Sequence, residues 1–253
     1  MPRVAVVTGG SSGIGAALAR ALAERDWHCV LLARREERLR ALSEDIDGEF
    51  EVCDVADHGS VRDVAARVLR RHPLVHLLVN NAGIPARRSF LDADARVIED
   101  VVRTNYLGGV WCLRAFLPGL DAAAPSDVVN VVSVAGTVAF PPSGPYSASK
   151  HAQLAFSRAT AAELRALGIR VHTVKPGFVE TEGFPQHWLP RAARRLVIGP
   201  DRVADHIVES IERGRGETMV PAYYAPVAQL QALLPNLFAR ALARRGSRTT
   251  IGR

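Results

Sequence analysis

The sequence predicts an α/β fold in one domain: a doubly wound parallel sheet flanked by helices. Three observations predict it. Short β-branched runs alternate with amphipathic stretches from the start of the chain, the rhythm of right-handed strand–helix–strand crossovers. The strand candidates are mostly unbroken apolar runs, as strands covered on both faces must be. No repeat, low-complexity segment or Pro/Gly/Ser linker divides the 253 residues, so a single domain spans 1–253.

In chain order the strand candidates are Arg3–Thr8, His28–Ala33, Glu49–Cys53, Val75–Asn80, Asp127–Ser133 and Ile169–Lys175. The helices between them are Gly13–Asp26, Glu36–Asp45, His58–Arg71, Ala93–Leu117 and Tyr146–Leu167. Two stretches break the rhythm. Glu180–Pro200 has no clear period. Thr218–Ala239 runs twenty-two residues without a formal charge, long enough to raise the question of a membrane span. Pro221, Pro226 and Pro235, with Gln229, Gln231 and Asn236, argue against an uninterrupted spanning helix.

A chain that is 48% hydrophobic and 23% charged builds a core and is not disordered by composition. The net charge of +6 resides largely in a tail: Arg240, Arg244, Arg245, Arg248 and Arg253 come with no acid among the last fourteen residues. The nearly neutral body and the lack of interleaved aromatics exclude nucleic acid as the expected partner. Cys29, Cys53 and Cys112 are scattered, and no CxxC or Cys/His cluster suggests a metal. With no secretory signal at the N-terminus, a reducing, cytoplasmic setting is expected.

The first strand runs directly into Thr8-Gly9-Gly10-Ser11-Ser12-Gly13-Ile14-Gly15, after which an alanine-rich helix begins. A dinucleotide pyrophosphate needs a sharp turn, close backbone approach and the free N–H groups of a helix N-terminus. Gly9 suits the turn, Gly13 the approach, and Gly15 the packing of helix on sheet, with Ser11, Ser12 and Ile14 completing the cradle. About twenty residues on, the end of the second strand reads Ala33-Arg34-Arg35, with no acid before Glu36. A carboxylate there would take the ribose hydroxyls of NAD; an arginine fork matches a 2′-phosphate. NADP(H) is the cofactor implied, with Arg34 the first choice for the phosphate and Arg35 beside it.

Tyr146 and Lys150 stand four residues apart on a helix candidate, so their side chains share a face. A neighbouring ammonium favours phenolate and brings a tyrosine towards useful acid–base chemistry. Ser133 lies at the C-terminal end of a central strand candidate, where open α/β sheets present their ligand sites. The residues between Ser133 and Tyr146, rich in Gly and Pro, read as a connecting loop.

The TGxxxGIG turn, Asn80-Asn81-Ala82-Gly83, Asp54-Val55, Ser133 and Tyr146-x-x-x-Lys150 together resemble the short-chain dehydrogenase/reductase family, from Val4 to about Pro200. The resemblance implies a Rossmann-like fold and hydride transfer between a nicotinamide and a carbonyl carbon. It makes Tyr146 the acid–base group and Ser133 the donor to the substrate oxygen. Lys150 holds the nicotinamide ribose and lowers the tyrosine pKa, and Asn105 supports a proton-relay water. It further implies that Asp54 and Val55 meet the adenine. Asn81, Ala82 and Gly83 line the adenosine and nicotinamide ribose, while Pro176, Gly177 and Thr181 face the carboxamide. Assembly as a homodimer or homotetramer through the helices at Ala93–Leu117 and Tyr146–Leu167 is implied as well.

The family's variable substrate lid falls on Glu180–Pro200, where Phe184, Trp188, Leu189 and Leu196 supply apolar surface and Arg191, Arg194 and Arg195 positive charge. From Pro226, Val227, Leu230, Leu234 and Leu237 recur at helical spacing, interrupted by Pro235. This C-terminal extension, 218–253, has three readings: a subunit interface, closure of an apolar pocket, or peripheral contact with a membrane. The substrate expected is a small carbonyl or alcohol, apolar in character: an acyl, steroid or polyketide group. One rival is a catalytically silent NADP-binding regulator or scaffold, which has no use for an acid–base tyrosine. A second, a serine hydrolase acting through Ser133, lacks the G-x-S-x-G elbow.

Overall fold

The computed structural model describes residues 2–86, 93–184 and 194–243. Among them, seven strands form one sheet in the order β3-β2-β1-β4-β5-β6-β7. These are β1 (Arg3–Thr8), β2 (Trp27–Ala33), β3 (Glu49–Val52), β4 (Leu77–Asn80), β5 (Ser126–Val131), β6 (Ile169–Pro176) and β7 (Glu217–Val220). Every pairing is parallel. The order reverses between β1 and β4, the switch point of a doubly wound Rossmann-like sheet, where a crevice opens at the carboxyl ends of the strands.

Alternation along the strands builds a core on each face. Ala5 and Val7 of β1, with Leu31 of β2 and Val79 of β4, face one side. There they meet α1 (Gly13–Ala23), α2 (Glu36–Asp45) and a helix at Pro200–Glu212, numbered α7 below. Val4, Val6, Val30 and Leu78 face the other side. They pack against α3 (His58–Arg71), α5 (Gly108–Ala122) and the end of α6 (Gly144–Glu163). Both faces are covered, which is why these strands read as continuous apolar runs.

Three departures from the sequence expectation matter for the site. The helix expected at Ala93–Leu117 is α4 (Ala95–Val102), a π-helical turn at Arg103–Leu107, and then α5, which reaches Ala122. A π-turn inserts an extra residue per turn, and such bulges cluster at functional positions. Strand β5 ends at Val131, and Ser133 caps a 3₁₀ turn at Val134–Gly136. The broken rhythm after β6 conceals α7 and β7. Helix α7 starts in standard fashion, with Pro200 in its first turn and Asp201 beside it.

The uncharged stretch beyond β7 folds into a 3₁₀ turn at Ala222–Tyr224 and two short helices, α8 (Ala225–Leu233) and α9 (Pro235–Ala243). Among the described residues no helix is long and apolar enough to cross a membrane. Trp188, Leu189 and Arg191 of the lid, and the arginines from Arg244 onward, lie outside the described residues.

Candidate active site

A cleft of about 710 Å³ opens at the carboxyl ends of the strands. Apart from Gly15 and Asn105, it is lined by every catalytic and cofactor residue named from the sequence. Gly15 lies behind the turn: a Cβ there would sit 2.4 Å from the Gly9 carbonyl oxygen, so only glycine lets α1 approach β1 this closely. Gly9 itself adopts φ +67°, a region that strains any side chain. A Cβ on Gly9 would also meet the Asn81 amide at 2.8 Å.

The turn is laced to the strand that follows it in the sheet. The Thr8 hydroxyl donates to the Val79 carbonyl and accepts from the backbone N–H groups of Asn81 and Ala82. The Asn81 side chain returns a hydrogen bond to the Thr8 carbonyl at 2.9 Å. Beneath it, Asn80 Nδ2 donates to Asn130 Oδ1 at 2.9 Å, tying β4 to β5. Ser12 stands at the N-cap of α1 yet makes no capping hydrogen bond; its hydroxyl instead takes Arg35 Nη2 at 2.6 Å. The first N–H groups of α1 are therefore left for an anion, with the positive end of the helix dipole behind them.

The two arginines after β2 are held differently. Arg34 is solvent-exposed, and the Asp54 carboxylate is 4.0 Å from its guanidinium. Arg35 lies across the turn: it donates to Ser11 and Ser12 and pairs with Glu182 at 2.7 Å. Arg38 of α2 reaches the other oxygen of Glu182. This carboxylate, among the acids flanking Thr181, thus straps the segment after β6 to the start of α2. Its pKa is lowered by the Arg35 hydrogen bond and then by that from Arg38. Thr181 itself sits over the turn, where a Cβ on Gly13 would be 3.1 Å from its methyl group.

At the other end of the cleft, α6 presents Tyr146 and Lys150 on one face. Ser133 is almost wholly buried, and its Oγ accepts from the Ala135 N–H at 3.1 Å, which leaves its O–H to donate to a ligand. Lys150 is buried; its Nζ lies 6.0 Å from the Tyr146 ring centroid. It donates to the Val131 carbonyl at 3.1 Å and to Gln153 Oε1 at 2.8 Å. Burial brings its pKa down from 10.5 to about 7, because removing water disfavours the charged form.

Asn105 sits in the π-turn. Its Nδ2 donates to the Ile84 carbonyl and to Ser149 Oγ, and its Oδ1 accepts from the Ile84 N–H at 2.7 Å. The side chain thus clamps the loop after Gly83 to α6. Sequence reading missed Gln153, although it stands three residues after Lys150 on the same helical face. It also missed the hold of Ser149 on Asn105.

The mouth of the cleft is apolar, with Ile84, Ala86, Phe140, Pro142, Phe178 and Phe184 among its lining. Phe178 and Phe184 stack at 5.1 Å. The extension reaches both sides of this mouth. Gln231 of α8 exchanges two hydrogen bonds with the backbone of Ala139. Tyr223 and Tyr224 both donate to the carbonyl of Leu196, in the lid.

Comparison with known proteins agrees with this geometry. Residues 3–189 match the model of the short chain dehydrogenase family. A putative ketoacyl reductase of granaticin polyketide synthesis from Streptomyces violaceoruber is 39% identical over 84% of this chain and 80% of its own. A dehydrogenase/reductase SDR family member 7B from Xenopus laevis is 30% identical over 98% of this chain and 83% of its own. Among solved structures, a short-chain dehydrogenase/reductase from Burkholderia phymatum in complex with NAD has a TM-score of 0.82, at 26% identity over 93% of this chain and 95% of that one. A variant of actinorhodin polyketide ketoreductase with NADPH has a TM-score of 0.79, at 29% identity over 87% and 95%. With its parallel sheet, its glycine turn and its serine, tyrosine and lysine brought to one cleft, the chain belongs to the short-chain dehydrogenase/reductase family of oxidoreductases.

Proposed function

We propose that the chain interconverts a carbonyl and a secondary alcohol with NADP(H), acting on a lipophilic substrate. The observation that carries the reading is the convergence of Ser133, Tyr146 and Lys150 on the cleft that begins at the uncapped N-terminus of α1. When bound, the nicotinamide supplies the hydride for reduction or accepts it in oxidation. The residues of this chain do the rest. Ser133 donates its O–H to the carbonyl oxygen and orients it. Tyr146 gives its phenolic proton to that oxygen in reduction and takes it back from the alcohol in oxidation. In its ammonium form Lys150 favours the phenolate of Tyr146 and holds the ribose. Asn105 acts at one remove, as a positioning residue for the loop after Gly83.

The phosphate preference rests on charge. The end of β2 carries Arg34 and Arg35 and no carboxylate, and among the described residues Arg34 makes a loose contact with Asp54. Arg35 can join it by exchanging Glu182 for phosphate. Pro176, Gly177 and Thr181 line the nicotinamide end, and Asp54 and Val55 the adenine end. The lipophilic substrate is supported by the aromatic mouth and by the likeness to ketoacyl reductases of polyketide synthesis. Assembly as a dimer or tetramer and a cytoplasmic setting belong to this reading as well.

The test is a fluorescence titration of purified protein with NADPH and NADH, in the wild type and in Arg34→Ala. The expected result is tighter binding of NADPH, weakened selectively by the substitution, followed by carbonyl turnover with NADPH. Binding of neither nucleotide refutes the enzyme reading; preference for NADH refutes only the role given to Arg34.

A further inference from the structure

Outside the cleft, the fold brings together three side chains that the sequence keeps far apart. His28 is the second residue of β2, Glu49 opens β3, and His72 is the C-cap residue of α3. Glu49 pairs with Val30. Since side chains two residues apart share a face, His28 lies on the side of the sheet that α3 covers. His28 Nε2 is 3.1 Å and His72 Nε2 2.8 Å from the same atom, Glu49 Oε1. The two rings are 5.1 Å apart, and the three donor atoms all lie within 4.8 Å of one another. The other oxygen of Glu49, Oε2, accepts from Arg71 Nε at 3.0 Å. That bond fixes the carboxylate with Oε1 towards the rings.

We propose that His28, Glu49 and His72 form a binding site for a divalent transition-metal ion of the Zn²⁺ type. Two imidazoles and one carboxylate are the donors such ions take, whereas Mg²⁺ and Ca²⁺ prefer oxygen throughout. Ligands at about 2.0–2.2 Å from a tetrahedral ion stand about 3.3 Å from one another. The two nitrogen–oxygen separations here fall a few tenths of an ångström short of that, and side-chain rotation closes the difference. All three side chains are partly exposed, so water can complete the coordination. The Arg71 bond to Glu49 acts as the outer support that ligating carboxylates carry. Arg71 also donates to Glu51 at 2.9 Å, which gives its charge a second partner when the ion arrives.

The site lies at the opposite end of β3 from the cleft, whose lining begins just past the strand at Cys53 and Asp54. Its effect is therefore structural: it staples β2, the edge strand β3 and α3. It does not depend on the reaction proposed above.

Isothermal titration of the untagged full-length chain with zinc sulfate tests it, alongside the visible absorption of Co²⁺ bound in its place. The three cysteines are buried and offer no accessible thiolate to compete. The expected result is one equivalent bound, an absorption of four- or five-coordinate Co²⁺, and a Tm that rises with zinc concentration. In His28→Gln/His72→Gln the affinity falls at least tenfold and the Tm response disappears. Absence of saturable binding, or binding undiminished in the variant, overturns the proposal. Should the variant not fold, wild-type imidazole NMR decides: zinc must shift two of the eight histidine signals, and shifts in none or in all refute it.

Discussion

Replacing Lys150 by methionine makes the wild type's stability advantage depend on pH, in a direction fixed by burial. In the folded protein the ammonium is enclosed, with the Val131 carbonyl and Gln153 as acceptors, and burial brings its pKa to about 7 against 10.5 for an exposed lysine. Unfolding restores the ordinary value. Between about pH 7 and pH 10.5 the unfolded chain therefore binds a proton that the folded chain does not, and stability climbs as pH rises. The cost of the buried cation is fully present below the folded pKa and gone above the unfolded one. Lys150→Met removes this titration and keeps a long side chain in the same space. Each pKa unit corresponds to about 1.4 kcal/mol, and both titration curves are partly saturated at the ends of the window. From pH 7 to pH 9 the wild type should thus gain roughly 2 kcal/mol on the variant. Urea unfolding of both proteins at the two pH values measures this. Titrating groups that Lys150 does not touch contribute alike to both proteins and cancel in the difference. A gap between the two proteins that does not change with pH refutes the burial argument, and with it the idea that burial holds this lysine near half-protonation at neutral pH.

Two further predictions concern the proposed chemistry. Tyr146→Phe removes the acid–base hydroxyl alone, so single-turnover reduction should slow by about 10²- to 10⁴-fold while NADPH still binds; retained turnover would move the proton donor elsewhere. Glu182→Gln releases Arg35 from its carboxylate partner, so NADPH should bind more tightly in a fluorescence titration and NADH unchanged. An equal effect on both cofactors would separate Glu182 from the phosphate.

What could be read from the chain alone divides along physical lines. The bounds of β1, α2 and α3 are those expected, because each is a strong local pattern with a clear boundary: an apolar run into glycines, or an amphipathic helix, opened for α3 by Asp57 accepting from the Gly59 N–H. Helix α7 was legible in principle, since Val203, Ile207 and Ile211 recur at helical spacing and are buried. It was hidden by the aperiodic stretch before it. Strand β7 was not legible: its four residues bury only Val220 fully, and its uncharged neighbours mask where it ends. The π-turn at Asn105 carries no local signal either, because its reason is tertiary, the clamp on Ile84 and Ser149. Ser133, Tyr146 and Lys150 could be named as candidates from the sequence, since Tyr146 and Lys150 share one helix face and Ser133 lies just past the end of β5. The strap between Arg35 and Glu182 could not, for its partners are 147 residues apart and meet only when the segment after β6 folds over the glycine turn.

The same division explains why the reaction class is easier to read than the substrate. The proposed acid–base and cofactor groups sit on elements whose positions the sheet dictates, so their spacing is constrained and visible. The walls of the cleft mouth are set by weaker ties: Gln231 to the backbone of Ala139, and Tyr223 and Tyr224 to the Leu196 carbonyl. These contacts couple α8 to the loop bearing Phe140 and the lid stem to the turn before α8. They favour the pocket-closing reading of the extension for its inner side. Its outer side is another matter, since Leu233 is 78% and Leu237 60% exposed. Among the described residues these two leucines, at the end of α8 and in α9, are little covered, so the inner contacts of the extension and its outer side answer to different demands. The residues of the mouth and of that outer side sit on loops and short helices with no fixed spacing, which is why neither announces its ligand in the sequence.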